Sequence, residues 1–93
     1  TDDIAKPSKC LARAMRSAYS AGTGLPYATY LGGNGLSARS DLGGLNLSDV
    51  PKVFVETGNM RNRGDAALLE SPRFRERIAR SIAAGLARFL SRC

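Results

Sequence analysis

The chain has 93 residues, enough for one small core and too few for two domains. Hydrophobic residues make up 43% and charged residues 24%, which excludes wholesale disorder, and no apolar run approaches the roughly 20 residues of a membrane span. The net charge is +6, from 14 basic and 8 acidic residues, so an anionic partner such as nucleic acid has to be weighed.

Residues 1–7 read as a loose lead-in. They begin Thr1-Asp2-Asp3 with no apolar signal stretch, as expected where a leader has been removed or where the chain starts inside a longer protein. Ser8 is a candidate cap for a helix starting near Lys9. Leu11, Met15, Ala18 and Tyr19 recur at helical spacing, with Arg13 and Arg16 on the wet side. Gly22 and Gly24 are placed to end this helix.

Residues 25–51 are rich in glycine, with Pro26 and Pro51 near the ends. Tyr27 to Leu31 fit a short strand, and Gly32-Gly33-Asn34-Gly35 fits a turn or loop. Ser37, Arg39, Ser40 and Asp41 form a polar cluster. They suit either substrate binding or hydrogen bonds within the turn. Leu42, Leu45 and Leu47 fit a compact, partly buried turn.

Val53, Phe54 and Val55 are consecutive apolar residues, two of them β-branched. This pattern predicts a strand buried on both faces, as in a parallel sheet between helices. Pro51 suits its start, and Gly58 its end. Further on, Asn62 and Asp65 form a capping-box-like pair ahead of a short helix. Ser71 and Pro72 open a long last helix, with Ser as cap and Pro at the first position. Its predicted buried stripe is Phe74, Ile78, Ile82, Leu86 and Phe89, with Arg73, Arg77, Arg80 and Arg88 away from it.

Besides the short stretch at 27–31, only Val53 to Val55 read clearly as a strand, and a single strand makes no sheet. The expected fold class is therefore α/β, with the sheet completed by residues outside this chain. The cysteines, Cys10 and Cys93, fit no metal-binding spacing. They are either a disulfide tying the first helix to the last residue, as suits an exported protein, or two unrelated thiols. Histidine is absent. That removes a self-contained Ser-His-Asp or Cys-His site and the usual zinc ligand.

Glu56 is the chemically conspicuous residue. It ends an apolar run and precedes Gly58, although glutamate is depleted in strands and seldom buried without a partner. In open α/β sheets, ligands bind at the carboxyl ends of strands, where a carboxylate can act as general base or acid. The alternative is a Glu that leaves the sheet and pairs with Arg39, Arg61 or Arg63. The turn that follows, Gly58-Asn59-Met60, carries little bulk beside Glu56 and leaves room for a substrate.

The stretch Pro51-Lys52-Val53-Phe54-Val55-Glu56-Thr57-Gly58-Asn59-Met60-Arg61-Asn62 resembles a signature of the zinc-dependent N-acetylmuramoyl-L-alanine amidases, the compact mycobacterial members in particular. That family shows a proline, an apolar strand, a glutamate, a glycine and then an asparagine. Arg39-Ser40-Asp41-Leu42 and the closing helices after Asp65 are also similar, so the resemblance runs from about Ser8 to Leu90. It implies that residues 1–93 are the carboxyl-terminal part of a three-layer sheet-and-helix catalytic domain. It further implies a peptidoglycan hydrolase that cuts the amide between N-acetylmuramic acid and L-alanine of the stem peptide, located in the periplasm or cell wall after export.

In such an enzyme zinc lowers the pKa of a bound water and stabilises the oxyanion. The family's late glutamate, here Glu56, moves the proton to the leaving nitrogen. The zinc ligands fall in the family's first half, so none is expected in this chain, and the amino-terminal half is the implied partner, covalently joined or nicked. The candidate substrate-binding residues come from the residue pattern and not from the family: Arg39 in the polar loop cluster and Asn59 in the turn after Glu56. The competing expectation is a non-catalytic basic module for nucleic acid or anionic cell-wall polymer. Against nucleic acid, Glu76 interrupts the arginine run and no exposed aromatic platform is evident.

Overall fold

The structure is a computed structural model that describes residues 2–25, 50–55, 57–58 and 61–93. Three helices account for most of them: α1 (Asp2–Thr23), α2 (Arg63–Glu70) and α3 (Pro72–Arg92). None of the helices is long and apolar enough to cross a membrane. The predicted pieces at 27–31, 32–35 and 42–47 lie outside the described residues.

The frame is an antiparallel pair of long helices. Along α1 the buried residues are Leu11, Ala14, Met15, Ala18 and, at its end, Thr23, and along α3 they are Phe74, Ile78, Ser81 and Gly85. Met15 lies against Gly85, Gly22 against Ser81, and Cys10 is joined to Cys93, so α3 runs back along α1. Glycine is needed at both close approaches. A Cβ on Gly85 would stand 2.7 Å from Met15 Sδ and 3.1 Å from Met15 Cα, and one on Gly22 would overlap the Ser81 hydroxyl.

Both ends of the pair are fastened. At one end the Cys10–Cys93 disulfide spans a Cα–Cα distance of 6.1 Å, inside the normal range. Of the two readings of the cysteines, the structure takes the paired one. At the other end Arg77 donates from Nε (3.2 Å) and Nη2 (2.9 Å) to the carbonyl of Gly22. This satisfies one of the carbonyls that a helix C-terminus leaves open. Gly24 follows with φ of 74°, the left-handed conformation that glycine adopts without steric cost.

The α/β expectation is corrected. Among the described residues there is no strand, and no sheet can be assigned. A strand is defined by its ladder, and the Lys52 N–H that would join one instead donates to the Ser8 hydroxyl at 3.1 Å. Burial alternates along residues 51–55: Pro51, Val53 and Val55 are half-buried, whereas Lys52 and Phe54 are exposed. Phe54 is 67% accessible. The apolar run is therefore covered on one face only, and an alternation of period two was hidden because both faces carry apolar side chains.

Helix boundaries differ in one place. α1 starts at Asp2 rather than near Lys9, with Pro7 inside it. So close to the N-terminus, proline forfeits only the bond to the carbonyl of residue 3. Ser8, expected as a cap, serves residue 52 instead. The later caps are as expected. Asn62 Oδ1 accepts from the Asp65 N–H at 3.0 Å, Ser71 Oγ accepts from the Phe74 N–H at 3.3 Å, and Pro72 opens α3.

The buried stripe of α3 is rotated from its predicted position. Phe74 and Ile78 are buried, but Ser81 and Gly85 take the next turns, while Leu86 is 45% accessible. Small residues let the two backbones approach closely, and that contact outweighs the burial of Leu86. The rotation brings Arg77 and Arg88 to the edge of the α1–α3 interface.

Candidate functional site

The three residues singled out from sequence, Glu56 together with Arg39 and Asn59, lie outside the described residues. Thr57 and Gly58 follow Glu56 directly and have defined surroundings. The Tyr19 phenol donates to the Thr57 carbonyl at 2.6 Å. With the Lys52–Ser8 bond, this anchors the segment at two points on α1. Ser8 and Tyr19 are separated by about 16 Å along a helix, and residues 52 and 57 meet them in the same order. The segment therefore runs in the same direction as α1.

Gly58 turns toward α2. A Cβ there would meet Leu69 Cδ1 at 3.2 Å and Asp65 Oδ2 at 3.6 Å. Asp65 occupies the first turn of α2, where a carboxylate suits the positive end of the helix dipole. Burial raises the Tyr19 phenol above its ordinary pKa of 10.0, and the nearby Asp65 carboxylate raises it further. The phenol is thus kept protonated, the form that donates to Thr57. Tyr19, Thr57, Gly58 and Asp65 together join α1, the extended segment and α2 at one point.

Sequence reasoning placed Tyr19 on the apolar stripe and Asp65 in a capping box, and missed that they face a common neighbour. The available signal was the tyrosine itself, because a half-buried phenol needs a hydrogen-bond partner.

Among the described residues no group of three or more His, Cys, Asp or Glu is arranged to hold a metal ion. The two sulfurs are bonded to each other. Asp65 is a single carboxylate beside a phenol. This donor set does not fit zinc.

Residues 1–88 match the N-acetylmuramoyl-L-alanine amidase family, and the chain belongs to that family. It is similar to the N-acetylmuramoyl-L-alanine amidase Rv3717 of Mycobacterium tuberculosis, with 47% identity over 87 residues. That match covers 94% of this chain and 36% of the relative, so the chain spans about a third of the relative's length.

Proposed function

We propose that this chain is the carboxyl-terminal part of the catalytic domain of a zinc-dependent peptidoglycan hydrolase, which cuts the amide between N-acetylmuramic acid and L-alanine of the stem peptide. The observation that carries this reading is family membership across residues 1–88, which takes in the whole of the 51–62 signature. The relative's name supports the same amide as the target.

In this reading Glu56 is the proton-transfer carboxylate. It accepts a proton from the attacking water as the C–O bond forms and delivers it to the leaving nitrogen as the C–N bond breaks. Tyr19 assists by position: its bond to the Thr57 carbonyl fixes the backbone one residue after Glu56. Arg39 and Asn59 are proposed to contact substrate. Zinc is assigned to ligands outside this chain, in the half of the domain where the family resemblance puts them, and no step is drawn through it.

The Cys10–Cys93 disulfide supports export to the periplasm or cell wall, because such bonds persist in oxidising compartments. The proposed partner is the amino-terminal half of the same domain, covalently joined or nicked. The reading is tested by incubating the full-length protein with a muramyl dipeptide. Release of the free α-amine of L-alanine is expected, and a muramyl dipeptide left intact with the metal supplied refutes it.

A further inference from the structure

The interface between α1 and α3 is edged by two shallow grooves. One, of about 400 Å³, has Arg77 and Arg80 among its lining residues. Both of these cations are engaged. Arg77 donates to the Gly22 carbonyl and lies over the Phe74 ring, 5.7 Å from its centroid, and Arg80 pairs with Glu76 at 2.8 Å. The second groove, of about 230 Å³, lies beside the disulfide, and its lining includes Arg13, Ser17, Arg88 and Arg92. Among the described residues that line it, none is Asp or Glu. Among the described residues, none of these three guanidinium groups has a hydrogen bond or ion pair.

This arrangement is costly for the fold alone. Arg88 and Arg92 stand one helical turn apart, a like-charge spacing that is mutually repulsive, and Arg13 adds a third positive charge from the facing helix. The helix dipole favours Arg92, which is in the last turn of α3. It does nothing for Arg13, in the middle of α1. The disulfide joins residues 10 and 93 at the same groove, so the two helices that carry the arginines cannot separate there. Cations fixed together without partners form a preorganised anion site.

The shape of the positive charge selects among anions. A long phosphodiester chain needs an unbroken line of available cations, and nucleic acid also needs aromatic faces for its bases. Here the line stops where Arg80 and Arg77 are engaged, and none of the described residues lining either groove is aromatic. What remains is a compact trio suited to discrete carboxylates, which guanidinium binds in a two-pronged fashion.

We propose that Arg13, Arg88 and Arg92 form a carboxylate-binding subsite for the peptide arms of peptidoglycan, held rigid by the Cys10–Cys93 disulfide. The subsite rests on the amidase reading for the identity of its ligand. It retains the enzyme on the polymer through charge, and soluble fragments need not occupy it.

The test uses the full-length protein and purified sacculi stripped of phosphate polymers, either native or with their carboxyl groups amidated, in a co-sedimentation assay. Wild type is expected to bind native sacculi and to lose affinity about tenfold on amidation, and also as salt rises from roughly 50 to about 300 mM. The triple variant Arg13→Gln, Arg88→Gln, Arg92→Gln is expected to lose a similar factor while hydrolysing soluble muramyl dipeptide with unchanged kcat/KM. The triple Lys variant, which keeps the charge but not the two-pronged geometry, is expected to fall between the Gln variant and wild type. The subsite is refuted if the Gln variant sediments like wild type, if amidation has no effect, or if binding requires the phosphate polymers. It also falls if the Lys variant loses as much as the Gln variant, because the loss would then follow the fold and not the charge. Failure of the amidase reading would appear separately, as absent hydrolysis of the soluble dipeptide by wild type.

Discussion

Gly22→Ala probes the helix pairing that carries the rest of the molecule. The new Cβ would overlap Ser81 Oγ and lie 2.9 Å from Ser81 Cβ and 3.5 Å from Ser81 Cα. Rotating the serine side chain relieves only the first contact, at the expense of its 2.7 Å bond to the Arg77 carbonyl. The second contact requires the backbones to move apart, and overpacking of this kind costs about 1–3 kcal/mol. Alanine returns up to about 1 kcal/mol of helix propensity over glycine, and less at the last turn. The net expectation is a loss of about 1–2 kcal/mol, which lowers Tm by roughly 5–15 °C in a domain of this size. Thermal unfolding followed by circular dichroism measures it. Ser81→Gly removes the obstructing atoms, so the double variant is expected to recover at least about 1 kcal/mol beyond additivity. A Gly22→Ala protein as stable as wild type, with no coupling to residue 81, would refute the close approach.

Reducing the Cys10–Cys93 bond opens a loop spanning nearly the whole chain, for which the chain-entropy relation gives a loss of about 4.5 kcal/mol. A thiol titration before reduction should find no free cysteine, and a Tm unaffected by reductant would contradict the structural role given to the bond. Tyr19→Phe removes the bond to Thr57 and is expected to cost about 1 kcal/mol. It also changes the alkaline response. The folded-state pKa of Tyr19 is raised above its ordinary value of 10.0, so its contribution is complete below that value and disappears as pH rises through the folded pKa. Wild type should lose this stability increment in denaturant titrations above pH 10.0 and Tyr19→Phe should not; parallel pH profiles would refute the assignment.

Local rules in the sequence carried the starts of the last two helices well. Asn62, Ser71 and Pro72 announce α2 and α3 through capping chemistry that needs only near neighbours, and the structure places them accordingly. Two other features depend on what lies across the interface. The stripe of α3 turns toward Ser81 and Gly85 because Gly22 and Met15 sit opposite, and no periodicity within α3 records that. The run Val53-Phe54-Val55 reads as a strand from composition. Whether such a run makes a ladder depends on its neighbours, and here the neighbour is the Ser8 hydroxyl on a helix. Of the site, the sequence marked the 51–62 segment through its motif. The tyrosine that anchors that segment was legible only as one more apolar position.

The assignment of Glu56 as the proton-transfer carboxylate is tested most directly by Glu56→Gln in the full-length protein. The variant is close to isosteric and removes only the ability to take up a proton. Hydrolysis of a muramyl dipeptide is expected to fall by about 10²–10⁴-fold, with metal content and Tm unchanged. Turnover within a few-fold of wild type would contradict the account.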